Sequence, residues 1–166
     1  MTVLETLIQE FEQEMNTTRK MLSRVPDDKF SWKPHEKSMD LKSLSGHIAE
    51  LPTWIPMAMN SDELDFATAN YQPPVLNSSA DLLNVFEASV VAGRNALQSA
   101  DESKFTERWV LRTGDQIHVD TNRYGLIRIS LSQVIHHRAQ LGVYLRLLNI
   151  PIPGSYGPSA DEMEFN

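Results

Sequence analysis

The sequence predicts an all-α four-helix bundle on three observations. Four stretches place apolar residues at helical spacing, the connections between them are long and carry proline, and 166 residues suffice for one domain, 1–166, around one core. In the first stretch Thr2 and Glu5 have the spacing of a capping box. Leu4, Leu7, Ile8, Phe11, Met15 and Leu22 then recur on one face, predicting a helix to about Ser23. Val25-Pro26-Asp27-Asp28 breaks the pattern, and Phe30 to Met39, with Pro34 inside it, reads as an ordered connector.

Asp40 is a candidate N-cap for the second helix, whose apolar positions are Leu41, Leu44, Ile48, Leu51, Trp54 and Ile55. Pro52 and Pro56 should kink or shorten it. Asn60 to Asn77, with Pro73-Pro74, reads as a long loop of the kind that often carries function. A third helix starts near Asn77 or Ser78 and runs through Leu82, Phe86 and Val90 to about Leu97, slightly weakened by Gly93. Between Phe105 and Asp120, Trp109-Val110-Leu111 and Ile117-His118-Val119 alternate around Thr113-Gly114-Asp115, which fits a short β-hairpin or an irregular excursion. The last helix is predicted over Arg123 to Asn149 and is ended by Pro151, Pro153 and Gly154. The tail, 154–166, is too polar for core and is expected either to lack fixed structure or to lie over a site at the bundle end.

Composition narrows the function classes. No apolar run approaches the roughly 20 residues of a membrane span. The N-terminus goes straight into an amphipathic pattern without a basic leader, so a cytoplasmic location is expected. The absence of cysteine excludes a disulfide, a thiolate metal cage and a cysteine nucleophile supplied by the protein. A net charge of −7 argues against nucleic acid as a partner, because affinity for phosphate backbones rests on Lys and Arg.

Histidine placement is the chemical signal. On a wheel centred on His137, Gln133 and Leu141 fall about 40° to either side, with Tyr144 and Leu148 within about 20°. Centred on His47, Trp54 and Ala58 fall within about 20°. Both imidazoles are thus expected to face the core, where each needs a polar partner. Hydrogen bonding within the core supplies one; a shared metal ion supplies another, since neutral imidazole ligates zinc, nickel and iron. His136 lies about 100° round the helix and is the second choice of ligand. Glu50, about 60° from His47, could orient that ring or act as acid or base, or lie solvated on the helix flank. Arg138 and Arg146 are expected on the outer half of the last helix, Trp54 and Tyr144 in the core, and His35 and His118 at the surface.

Trp32-Lys33-Pro34-His35-Glu36-Lys37-Ser38-Met39 with His47-Ile48-Ala49-Glu50-Leu51-Pro52 resembles the N-terminal half of DinB/YfiT-type proteins. His136-His137-Arg138-Ala139-Gln140-Leu141-Gly142 with Tyr156-Gly157-Pro158-Ser159-Ala160-Asp161-Glu162 resembles their C-terminal half. The resemblance implies an up-down-down-up four-helix bundle, often a homodimer, with a divalent metal, typically nickel or zinc. It places the metal ligands at His47, Gln133 and His137. Gln133 departs from the family pattern, which has a histidine there, and a Gln carbonyl is a weaker donor to late first-row ions than imidazole, so weak or partial occupancy is expected. The implied activities are metal-dependent hydrolysis or transfer to a low-molecular-weight thiol, on an unidentified small-molecule substrate. The alternative is a degenerate, non-catalytic binding protein.

Overall fold

The structure, a computed structural model, describes residues 1–163. Helix α1 spans Val3–Leu22 and opens with the predicted box: Thr2 Oγ1 accepts from the Glu5 amide at 3.1 Å, and Glu5 Oε2 accepts from the Thr2 amide at 2.7 Å. Asp40 caps α2, Leu41–Glu50, by accepting from the Ser43 amide. Proline chemistry then divides the predicted second helix. A 3-10 turn over Leu51–Thr53, carrying Pro52, separates α2 from α3, Trp54–Asn60, which places Pro56 in its first turn, where a missing N–H costs nothing. Ser78 and Asp81 form a second capping box at the start of α4, Ser79–Gln98, and Asn122 caps α5, Arg123–Leu147.

The α2–α3 unit and α1 each pack against α4 and α5, so the helices are neighbours around a common core. Phe11, Met15, Ile48, Ile55, Phe86 and Leu131 are all sealed within it. Each such side chain stabilises the fold by roughly 1.5–3 kcal/mol relative to exposure. Gly93 allows α4 a close approach: a Cβ there would stand 3.0 Å from both the Phe11 ring and the Pro52 carbonyl oxygen.

The all-α expectation is overturned by a three-stranded mixed sheet, which makes the fold α+β. Strands β2, Arg108–Thr113, and β3, Gln116–Asn122, form the hairpin, with Gly114 turning at φ 54°. Strand β1, Glu63–Asp65, lies inside the segment read as loop and pairs parallel to β2, with Leu64 opposite Leu111. Its stability is largely non-local: besides the nearby Ala67 amide, Asp65 accepts from the Gly114 amide and pairs with Arg112 at 2.8 Å, partners nearly 50 residues along the chain. Trp109 carries the hairpin into the core, fully buried, with its indole N–H donating to Ser61 at 3.3 Å.

Arg123 rivets sheet to bundle. Its guanidinium donates to Glu107, Asp62 and the carbonyls of Ala58 and Ser61, at 2.6–2.7 Å. Among the described residues no helix is long and apolar enough to cross a membrane.

A histidine pair and its clefts

The registers of α2 and α5 bring His47 and His137 together edge to face, with ring centroids 4.7 Å apart and planes at 81°. Neither is sealed in the core; each is half-buried at the flank of its helix. The centre of the buried face of α5 is instead the row Val134, Arg138, Leu141 and Leu145. Burial, reinforced by the neighbouring His137, pushes the His47 imidazole below its ordinary pKa, so it is neutral at pH 7. His137 Nδ1 lies 2.9 Å from Gln140 Oε1, and Gln140 Nε2 lies 3.1 Å from His136 Nε2. With Nδ1–H donating to the Gln140 carbonyl, the lone pair of His137 is left on Nε2. Hydrogen bonding of the other ring nitrogen is how ligating histidines are ordinarily oriented.

These two imidazoles are the side chains that would hold a divalent ion, as two of its ligands. The remaining candidates stand elsewhere. Gln133 is exposed, beside Arg128, Ser132 and His136 along a shallow groove that contains neither His47 nor His137. His136 is exposed, with its ring 4.8 Å from that of His137. Among the described residues no three His, Asp or Glu side chains converge on one point. His35 accepts from the Lys37 amide in the connector, and exposed His118 contacts Thr113 on the hairpin.

Two clefts flank His47, and His47, Glu50 and Tyr71 line both. One, of about 510 Å³, runs past Lys42, Gly46 and Pro73-Pro74. The other, of about 310 Å³, is walled by Trp54, Met57, Leu64 and Phe66. Trp54, expected in the core, is half-buried and faces this second cleft. Between the clefts Tyr71 donates to Glu50 Oε2 at 2.8 Å. Burial raises the Glu50 carboxyl above its ordinary pKa, an effect the Tyr71 hydrogen bond partly offsets. The Tyr71 phenol is pushed up to about 12 by burial and by the neighbouring carboxylate.

Arg138, expected on the outer half of α5, is 2 % exposed. Its Nη1 lies 2.7 Å from Glu14 Oε2 and donates to Thr18 Oγ1, while Nη2 donates to the Tyr156 hydroxyl, which itself donates to Glu14 Oε1 at 2.8 Å. The wheel missed this because α1 and the tail wrap the side of α5 that the His137-centred count left to solvent. The tail residues 152–159 line a separate cavity of about 530 Å³ against α5, and none of them lines the His47 clefts. Residues 164–166 of the tail lie outside the described residues.

The DinB family model matches residues 1–165. The chain belongs to the DinB family. Among relatives of this DinB-family chain, the uncharacterized protein YrdA of Bacillus subtilis (strain 168) is 21% identical over 159 residues, spanning 96% of this chain and 91% of YrdA. The crystal structure of a DinB-like protein from Bacillus cereus ATCC 10987 superposes with a TM-score of 0.73 at 22% identity, covering 92% of this chain and 97% of that one. A mycothiol-dependent maleylpyruvate isomerase superposes with a TM-score of 0.63 at 17% identity, over 85% of this chain and 61% of its own. At these identities the structural likenesses establish the fold alone.

Proposed function

We propose that this DinB-family protein binds a divalent cation, nickel or zinc, through His47 and His137, and acts on a small molecule at that site. The observation that carries the reading is the meeting of two half-buried imidazoles from α2 and α5, one held neutral and the other oriented by Gln140. Bound there, a divalent ion would supply Lewis acidity toward an incoming water, for hydrolysis, or toward a low-molecular-weight thiol, for S-transfer. The protein's own part is to hold the two rings, shield one side of them with α2 and α5, and admit a reactant through the clefts beside His47.

The exposure of Gln133 favours a second reading, a degenerate family member that binds small molecules without metal chemistry. Metal content of protein purified without chelator or nickel resin, beside His47→Ala and His137→Ala, separates the two. Near-stoichiometric metal lost in both variants supports the first. A parent chain that takes up no nickel or zinc even in excess overturns it.

A further inference from the structure

The 310 Å³ cleft has a composition that specifies its occupant. Trp54, Met57, Leu64, Phe66 and Ala69 form its apolar walls; His47, Glu50, Thr53 and Tyr71 supply its polar edge. No Lys or Arg side chain lines it, so an anion entering would lose its hydration without gaining a counter-charge and would face the Glu50 carboxyl. Its volume lies at the small end of the range of ligand sites, enough for one or two fused rings. The rim is also apolar beyond what solubility favours: Phe66 is 50% and Tyr71 63% exposed, on the loop that closes over α2 and α3. Exposed apolar surface around an opening marks binding sites more often than plain surface. On the far side of the Glu50–Tyr71 hydrogen bond, the other cleft, walled by Pro73, Pro74 and Leu76, differs in carrying a cation, Lys42, so the two openings onto His47 are distinct in charge.

We propose that this aromatic cleft is the binding site for an uncharged, ring-bearing small molecule, anchored by a hydrogen bond to Glu50 and presented edge-on to His47. The inference deepens the function proposed above by naming the substrate class, and it rests on that reading only for the reaction, since the cleft is built by the protein alone.

The test is calorimetric titration in EDTA with two probes of equal size, neutral 1-naphthylmethanol and anionic 1-naphthoate. The alcohol should bind roughly tenfold or more tightly than the carboxylate, as like-charge opposition at Glu50 requires. Ala69→Phe, on an exposed loop position, should fill the cleft and weaken the alcohol roughly tenfold, the equivalent of losing a ring's apolar contact. Glu50→Gln should bring naphthoate to within about threefold of the alcohol by removing that opposition. Equal binding of both probes by the parent, or unchanged binding by Ala69→Phe with its circular dichroism spectrum intact, overturns the proposal. A separate nickel titration keeps the two readings apart. Probe binding without nickel binding supports the cleft and removes the metal reading; nickel binding without probe binding removes the cleft.

Discussion

The His47 and His137 imidazoles meet edge to face, 4.7 Å between centroids, across the α2–α5 interface. Edge-to-face packing turns one ring's C–H or N–H toward the other's π face, an arrangement favourable by itself for aromatic pairs. Two imidazoles thus share one local environment, in which a cation would enter by replacing ring contact with ligation.

Metal affinity should therefore respond to both histidines and to an imidazole introduced at position 133, one turn before His137 on α5. His47→Ala and His137→Ala should each weaken nickel binding at least tenfold, on the scale seen when even an orienting partner of a ligand is removed. Gln133→His should tighten it about tenfold or more, because imidazole is the stronger donor to nickel and zinc. Competition against a chelating dye measures all three, and unchanged affinity in Gln133→His would show that position 133 is not a ligand.

Arg138 is the residue on which the most buried carboxylate among the described residues, Glu14, depends. Among the described residues Glu14 Oε2 is buried without a hydrogen bond, 2.7 Å from the Arg138 guanidinium. Arg138→Met should lower unfolding free energy by about 3–5 kcal/mol, as expected for stranding a buried carboxylate. Tyr156→Phe, which removes one hydroxyl from the same cluster, should cost about 1 kcal/mol. Urea denaturation reads both, and equal effects would place the energy in the tyrosine rather than in the ion pair.

Stability should carry a pH signature from Glu50. Its folded-state pKa lies above the reference value of 4.5, chiefly through burial. The carboxyl's contribution is then fully present below pH 4.5 and is lost as pH rises through the folded value. Glu50→Gln should flatten the stability profile in that window. Tyr71→Phe should move the transition upward, because the Tyr71 hydrogen bond holds the pKa down. Thermal melts across pH 4–7, with carboxyl ¹³C shifts, follow both changes; a Tyr71→Phe shift in the opposite direction would contradict the hydrogen-bond assignment.

Gly93→Ala tests the close contact of α4 with Phe11 and Pro52. Alanine is the better helix former by up to about 1 kcal/mol, yet its Cβ would press on the Phe11 ring and the Pro52 carbonyl. The Pro52 carbonyl is backbone and yields little, so a net loss of about 1–2 kcal/mol is expected. A gain in melting temperature would mean that the interface relaxes.

What the sequence revealed and what it hid follow from the range of the forces involved. Thr2 with Glu5, Asp40 and Ser78 announced helix starts because a cap is satisfied within three residues, and α5 begins at Arg123 as the pattern predicts. The hairpin showed in its alternation around Gly114. Strand β1 did not, because its partners at 110–112 lie 47 residues along the chain. The histidine pair was foreshadowed by periodicity, but Gln133 and Arg138 were placed by a wheel centred on His137. The buried stripe of α5 is centred on Arg138 instead, leaving Gln133 exposed and carrying Arg138 inside. The aromatic cleft was the least visible, since Leu64, Phe66 and Tyr71 come from the segment without helical periodicity.

The Glu14–Arg138 contact also constrains the order in which this chain can be made. The two residues are 124 positions apart, so on the ribosome α1 is finished long before its cation has been translated. Until α5 emerges, burying that carboxylate would leave it without its counter-charge, which disfavours settling that face of α1 inward. The Tyr156 hydroxyl, later still, is the last polar group to join. Nascent chains released short of α5 would therefore leave uncovered the face of α1 that α5 packs against in the finished fold.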